Sequence, residues 1–421
     1  GRLNVKIDQR SDLYSIGVIF YEMLTGRLPF TADRESQWIY AHISARPKPI
    51  NSIRSDIPSA ICSMVMKLLE KKAEGRYQSA YGLLWDIREC RKQLIEAGRI
   101  DNVAIGRRDT VSSFCLPNML YGRDAEKEQL KAVFDRVCEG SAEAVFISGY
   151  EGVGKTTLVN QTLKPLTYGK GYFIFGKADE MKRDKPYAPF QEAFRALIQQ
   201  LLTESEEELA YWRKRILNVL RRNCAVIAEF VPELEYIIGK QPPADMLFAK
   251  ESESRIFTMF KDFISIFAVR GRPLVVFLDD LQWASADCIR LIEYLASEPK
   301  LSSLLLIAAY RYNNENEANP AARLHEGTGE GPAGRTYINL HPLNWRQTLR
   351  LTADTLHTAQ EKVTILSEML YCKTAGNPLF LKQLLKDIYD RKILYFDVQS
   401  GSWKWKEEAL QSLNLNKDVM Q

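Results

Sequence analysis

A glycine-rich stretch in the first half of the chain has the residue types needed to hold phosphate groups. Gly149, Gly154, Lys155 and Thr156 fit the pattern G-x-x-x-x-G-K-[ST], between an apolar run and a helical pattern. The glycines let backbone N–H groups point at phosphate oxygens, and the next helix adds the positive end of its dipole. Lys155 would neutralise the β- and γ-phosphates, and the Thr156 hydroxyl would coordinate Mg²⁺. We therefore predict an ATP site at Gly149, Gly152, Gly154, Lys155, Thr156 and Thr157; the alternative is a chance glycine-rich turn.

The second chemical pattern is a pair of carboxylates, Asp279 and Asp280, that follows the apolar run 273–278. A strand of a parallel sheet lifts such a pair to the carboxyl edge, where ligands bind. Asp279 would hold Mg²⁺ through water, and Asp280 would orient or deprotonate the attacking water. Together with Lys155, this pair predicts a Mg²⁺-dependent ATPase. In the alternative interpretation the pair only caps the next helix.

The elements that must position these residues are predicted from short apolar runs. The runs lie at 144–148, 171–176, 274–278, 304–309 and 336–340. Helical patterns separate them, which is typical of a parallel, doubly wound sheet, and we place this core at 119–341. Lys155 and Asp279 are 124 positions apart, which a helical insert at about 190–267 explains. Basic residues at 213–215 and 221–222 in the insert would suit nucleic acid, but neighbouring glutamates favour a solvated helix face.

The composition excludes several classes of protein. With 421 residues, 46% hydrophobic and 26% charged, the chain has room for two or three globular domains. A net charge of +4 is too small to indicate nucleic acid or an anionic membrane. The seven cysteines include no C-x-x-C pair, which favours reduced thiols in the cytoplasm. No apolar run is long enough to span a membrane. Since the chain opens on Gly1 and both ends cut into apparent domains, we interpret it as a fragment.

Residues 1–97 resemble the C-terminal part of a eukaryotic-type Ser/Thr protein kinase lobe. The resemblance rests on Asp12, Ser15 and Gly17 in a D-x-x-S-x-G helix, on T-G-x-x-P-F at 25–30, and on a box at 74–80. It implies that Asp12 is buried against the catalytic loop and that Arg76 pairs with the Glu of an A-P-E motif. The H-R-D and D-F-G motifs are absent from the chain, so this fragment cannot transfer phosphate to protein by itself. An unrelated helical bundle is the alternative.

After a linker at 98–118, the chain resembles AAA-type and STAND-type ATPases. Tyr121-Gly122-Arg123 with Glu126 resembles their adenine-side box, 27 positions before Gly149, and implies that Gly122 and Arg123 border the base and ribose. In related ATPases a polar residue after the fourth strand senses the γ-phosphate. The resemblance gives this catalytic role to Arg311; a surface ion pair is the alternative.

The remainder is predicted to be a helical lid at 342–392 and the start of a winged-helix element at 393–421. Gly376-Asn377-Pro378 resembles the G-x-P signature of STAND ATPases, which implies that Pro378 approaches the nucleotide. A bare helix start explains the same residues. Residues 393–406, with apolar runs on both sides of 399–402, are predicted to form a hairpin. This hairpin resembles the wing of a small winged-helix element that the end of the chain interrupts.

The order of these motifs is similar to that of hybrid signalling proteins that join a Ser/Thr kinase domain, a STAND/AAA-type ATPase, a GAF domain and a histidine kinase. The resemblance implies a cytoplasmic, ATP- and Mg²⁺-dependent switch that regulates flanking kinase and sensor domains. ATP or ADP and those domains are the expected partners, a homo-oligomer is left open, and nucleic acid is not expected. The alternatives are a nucleotide-dependent scaffold that does not hydrolyse ATP and a DNA-associated AAA ATPase.

Overall fold

The computed structural model describes residues 10–31, 38, 41–42, 45–101, 103–107, 109, 114, 116–117, 119–183, 185–241, 252–311, 324, 334–397, 400 and 402–412. The chain forms two compact units. The core unit contains residues from 119–347 and 374–381, and the flanking unit contains residues from 1–118, 348–373 and 382–421. Residues 374–381 of the predicted lid thus belong to the core unit, and the five predicted segment boundaries remain predictions.

Helices lie between most successive strands of the core unit. In chain order, the helices and strands of both units are α1 (Arg10–Thr25), α2 (Ser59–Leu68), α3 (Ala80–Ala97), α4 (Asp124–Glu139), β1 (Ala142–Gly149), α5 (Lys155–Thr167), β2 (Tyr172–Lys177), α6 (Ala188–Leu201), α7 (Glu206–Leu220), α8 (Cys224–Phe230), α9 (Glu235–Ile238), α10 (Glu253–Phe267), β3 (Leu274–Asp279), α11 (Ala286–Ser297), β4 (Leu304–Arg311), β5 (Arg335–Leu340), α12 (Trp345–Thr355), α13 (Thr364–Thr374), α14 (Pro378–Asp390), β6 (Leu394–Asp397), β7 (Ser402–Trp405) and α15 (Glu407–Ser412). Short 3₁₀ turns lie between several of them.

The core unit contains a parallel sheet whose described strands have the order β2-β3-β4-β1-β5. Each neighbouring pair is parallel, so the predicted parallel sheet is confirmed. Strand β4 separates β1 from β3, and the register places Gly149 opposite Arg311. Because the strands are parallel, the glycine-rich loop after β1, the carboxylates after β3 and Arg311 on β4 meet at one edge.

Helices cover both faces of this sheet, which explains why its central strands are almost continuously apolar. On β1, Val145 and Ile147 face a cluster formed with α4 and α5, whereas Ala144 and Phe146 face the opposite cluster. That second cluster contains side chains of α6, α7, α10 and α11. Successive residues of a strand point to opposite faces, so one apolar run supplies both halves of the core.

In the flanking unit, α1 packs against α2. A Cβ at Gly17 would lie 2.7 Å from Leu68 Cβ, so the glycine permits this close approach. Ser79 caps α3 by accepting a hydrogen bond of 3.0 Å from the Gly82 N–H. Asp12 is exposed on α1, unlike the buried carboxylate that the kinase resemblance implies. The kinase-lobe fold of this segment remains a prediction.

Near the end of the described chain, β6 and β7 form the predicted hairpin. They pair antiparallel, with Phe396 opposite Trp403. The indole N–H of Trp403 donates to the Leu356 carbonyl oxygen over 2.8 Å. The winged-helix assignment remains a prediction, and residues 413–421 lie outside the described chain. Among the described residues, no helix has the length and apolar character needed to cross a membrane.

Candidate functional site

Three glycines shape the loop between β1 and α5. Gly152 and Gly154 have φ angles of +72° and +103°, which L-residues rarely adopt. A Cβ at Gly149 would lie 2.7 Å from the Leu340 carbonyl oxygen, and one at Gly152 would lie 2.7 Å from Leu379 Cβ. The loop therefore needs glycine for both backbone conformation and packing. Since α5 begins directly after it, the positive end of a helix dipole lies beside the loop.

Lys155 is the buried cation of this loop, with a side chain only 7% exposed. Its Nζ donates to the carbonyl oxygens of Gly149 at 2.8 Å and Tyr150 at 3.0 Å. Burial lowers the pKa of Lys155 to about 8, and the negative charges of Asp279 and Asp280 oppose that shift only in part. Its present partners are therefore mainly neutral dipoles. A phosphate would provide a full counter-charge, so the residue suits anion binding.

Thr156 and Asp279 form the contact that joins the two sequence motifs. The Thr156 hydroxyl donates to Asp279 Oδ2 over 2.5 Å. Asp279 is 3% exposed, and burial raises its pKa although the hydrogen bond from Thr156 lowers it. A hydroxyl beside a carboxylate supplies the oxygen ligands that Mg²⁺ prefers, and a cation would stabilise the buried charge. These two residues therefore fit the predicted metal.

Asp280 lies beside Asp279 but has different surroundings. Its φ is +53°, and its carboxylate contacts Lys177 Nζ at 3.0 Å and accepts from Gln282 Nε2 at 3.0 Å. Burial raises the pKa of Asp280, but the hydrogen bonds from Gln282 and Lys177 outweigh burial and lower it overall. The cap of α11 is Ser285, which accepts from the Cys288 N–H. Since a low pKa makes a weak base, this geometry suits orientation of a water better than its deprotonation.

Arg311, at the end of β4, points to the glycine-rich loop. Its Nη1 and Nη2 donate to the two carboxylate oxygens of Glu151 at 2.7 and 2.8 Å. The side chains are 28% and 40% exposed. Arg311 is thus in an ion pair, as the alternative interpretation had it, but its partner is a residue of the phosphate loop. Its role as a γ-phosphate sensor remains a prediction.

Arg123 contacts the glycine-rich loop, and its neighbour Gly122 packs closely against Gln347. Gly122 has a φ of +60°, and a Cβ there would overlap the side chain of Gln347. The buried Arg123 guanidinium donates to the carbonyl oxygens of Val153 and His341, and burial lowers its pKa. Arg123 therefore holds the backbone of the glycine-rich loop. Direct contact of these residues with base and ribose remains a prediction.

The box 376–378 reaches the same loop. Asn377 Nδ2 donates to the Glu151 carbonyl oxygen over 2.7 Å, and the Leu379 N–H donates to the Gly152 carbonyl oxygen over 3.3 Å. Asn377 Oδ1 also accepts from the Leu379 N–H, which caps α14. Pro378 is the first residue of that helix. A helix start and an approach to the phosphate loop are thus both present.

Sequence reasoning did not assign site roles to four residues of the site. Glu151, Lys177 and Gln282 contact the predicted residues Arg311 and Asp280, and Asn377 contacts the Glu151 carbonyl oxygen. Glu151, Gln282 and Asn377 lie inside or just after a motif, whereas Lys177 lies at the end of β2 and belongs to no motif. Proximity to a motif was a usable signal, but the partner of each residue depends on strand order.

A separate cavity lies elsewhere in the core unit. It has a volume of about 650 Å³, and its lining includes Lys170, Arg215, Arg270 and Arg272. Trp212, next to the basic residues 213–215 of the insert, is buried beside this cavity, and its indole N–H donates to Glu204 over 2.9 Å. None of the predicted nucleotide residues lines this cavity.

Comparison with known proteins agrees with the motifs. Residues 119–307 match the family model of the AAA ATPase domain. The whole chain is 29% identical to the hybrid signal transduction histidine kinase G of Dictyostelium discoideum, of which it covers 14%. A probable serine/threonine-protein kinase of Clostridium acetobutylicum is 35% identical over 22% of this chain and 14% of its own length.

Among solved structures, a signal transduction ATPase with numerous domains (STAND) protein with a tetratricopeptide repeat sensor, from Pyrococcus horikoshii, aligns with 65% of this chain. The alignment covers 31% of that protein at 18% identity, with a TM-score of 0.35. The chain spans a small part of the curated relatives it matches. The resemblance to a kinase-linked ATPase of the AAA type is confirmed by the family match and the relatives, which support a nucleotide-dependent ATPase module.

Proposed function

We propose that the core unit binds ATP with Mg²⁺ at the glycine-rich loop and hydrolyses it. The observation that carries the proposal is the contact between Thr156 and Asp279, with the buried Lys155 beside them. A lysine whose charge is only partly compensated, a hydroxyl and a buried carboxylate converge where a parallel sheet binds ligands.

In this proposal each residue acts on a different part of the nucleotide. Lys155 and the loop N–H groups bind the phosphates, while Thr156 and Asp279 hold Mg²⁺, which would supply charge stabilisation at the phosphates. Asp280 orients the attacking water, and Lys177 and Gln282 fix the direction of its carboxylate. Gly122 and Arg123 border the base side. Arg311 responds to the γ-phosphate.

We further propose that this nucleotide cycle regulates kinase and sensor domains joined to the module in a longer cytoplasmic protein. The similarity of the whole chain to 14% of a hybrid histidine kinase supports that context. The contacts of Asn377 and Leu379 with the loop backbone support a link from the nucleotide to α14. ATP would stabilise the contact of the 376–378 box with the glycine-rich loop, and hydrolysis would release that contact.

The test of the proposal is ATP binding by the Lys155→Ala variant, measured by calorimetry. We expect the affinity to fall about 100-fold or more, because a buried charge-assisted contact is lost. Lys164→Ala is the matched control, since Lys164 is an exposed lysine of the same helix. Unchanged ATP affinity in the Lys155 variant would refute the site.

One observation favours a second function, a scaffold that binds nucleotide without turnover. The low pKa of Asp280 and its contacts with Lys177 and Gln282 leave its carboxylate a weak base with occupied oxygens. Phosphate release measured over many turnovers separates the two functions. A single bound nucleotide with no released phosphate is the result expected of the scaffold.

A further inference from the structure

Glu151 is placed to do more than fill a position in the phosphate loop. Its carboxylate binds Arg311 through both terminal nitrogens of the guanidinium, at 2.7 and 2.8 Å. Its backbone carbonyl accepts from Asn377 Nδ2 at 2.7 Å. One loop residue therefore contacts both the predicted γ-phosphate sensor and the box at the start of α14.

The ion pair lies at the phosphate end of the site. Both Glu151 and Arg311 act electrostatically on Lys155, whose Nζ contacts the Gly149 and Tyr150 carbonyl oxygens of the same loop. The register also places Arg311 directly opposite Gly149 across the β1–β4 pair. A terminal phosphate held by Lys155 would thus lie near both members of the pair.

A carboxylate and a phosphate compete for the same edge of an arginine. Guanidinium binds either anion in a bidentate manner through paired N–H groups, and here Glu151 takes Nη1 and Nη2. A γ-phosphate would also be repelled by the Glu151 carboxylate. Since the pair is partly exposed, its strength is modest and a doubly charged phosphate can displace it.

We infer that Glu151 is a latch that holds Arg311 until a γ-phosphate takes its place, so that Glu151 sets how strongly the site distinguishes ATP from ADP. The inference rests on the proposed nucleotide site. ADP has no phosphate to exchange for the carboxylate, so the ion pair stays closed with ADP. Release of Glu151 also alters the loop segment whose carbonyl holds Asn377, which gives the γ-phosphate a route to α14.

The test compares ADP with the non-hydrolysable analogue β,γ-imido-ATP by calorimetry on Glu151→Gln. Glutamine keeps the size and the backbone carbonyl but removes the competing charge. We expect the preference for the analogue over ADP to rise about five- to tenfold, with ADP affinity nearly unchanged. Glu139→Gln removes an exposed charge from α4 and should leave the preference unchanged.

The same substitution is then made in an Arg311→Ala background. There the latch has nothing to hold, so Glu151→Gln should raise the preference much less than it does beside Arg311, through relief of charge repulsion alone. A shift of the same size without Arg311, an equal change for both nucleotides, or a selective loss of analogue affinity would each overturn the latch. Failure of the nucleotide site itself gives a different result, since the unmodified protein would then bind neither nucleotide.

Discussion

The kinase-like segment and the core unit both contain family motifs, but the motif residues make different kinds of contact in the two regions. In the kinase-like segment, Arg76 donates to the backbone carbonyls of Glu70, Lys71 and Arg10 at 2.6, 3.0 and 3.2 Å. Its guanidinium also lies over the Tyr14 ring, 4.7 Å from the centroid. These contacts stabilise the local fold.

In the core unit, by contrast, residues from different motifs contact one another. Thr156 contacts Asp279, and Arg311 contacts the loop that begins at Gly149. Burial lowers the pKa of Lys155 and raises that of Asp279, and the neighbouring charges and hydrogen bonds offset these shifts only in part. The difference separates motif residues that stabilise the local fold from motif residues that we propose bind a ligand, and substitutions can test it.

The largest expected effect is on turnover in Asp280→Asn. Loss of the carboxylate that we propose orients the water should lower the ATPase rate about 100-fold or more, with ATP affinity nearly unchanged. Steady-state phosphate release and calorimetry give the two values. Asp135→Asn, which changes an exposed aspartate of α4, is the control. An unchanged ATPase rate would show that the Asp280 carboxylate takes no part in hydrolysis.

A smaller effect is expected in Asp279→Asn. The amide keeps an acceptor for Thr156 but loses the charge that we propose holds Mg²⁺. The gain in ATP affinity on adding Mg²⁺ should therefore fall about tenfold, whereas affinity in EDTA should hardly change. Calorimetry with and without Mg²⁺ measures this difference. An equal loss in EDTA would show that Asp279 acts on the loop structure and not on the metal.

Gly152→Ala tests the packing of the loop against the 376–378 box. A Cβ there would lie 2.7 Å from Leu379 Cβ and 2.8 Å from Asn377 Oδ1, so we expect ATP affinity to fall about tenfold. Gly169→Ala is a close control, because its φ of +74° matches the +72° of Gly152 but its Cβ would meet nothing within 4 Å. Equal losses of ATP affinity in both variants would rule out the packing explanation.

The smallest effect on nucleotide binding is expected from Arg76→Ala. Loss of its hydrogen bonds should reduce the free energy of unfolding by about 1–3 kcal/mol and leave ATP affinity unchanged. Urea unfolding and calorimetry measure the two quantities, with exposed Arg88→Ala on α3 as the control. A selective loss of ATP affinity without a loss of stability would show that Arg76 acts on nucleotide binding, which would contradict the distinction between the two regions.

Much of the core could be predicted from local patterns. Apolar runs gave all the described strands of the parallel sheet to within two residues, because strands covered by helices on both faces are largely apolar, the central ones most of all. The exposure of Asp12 could not be predicted from its motif, since burial of that carboxylate depends on a catalytic loop that this chain does not contain.

By itself, the sequence determined the glycine loop and the order of strands and helices along the chain, because backbone freedom and apolar periodicity are local properties. It also determined which residues have the chemistry of a nucleotide site. Only the tertiary structure decided which of them meet. The position of β4 between β1 and β3 brings Arg311 to Glu151, 160 positions away, and the fold brings Asn377 to the same residue. Such contacts depend on strand order and register, which no local pattern contains.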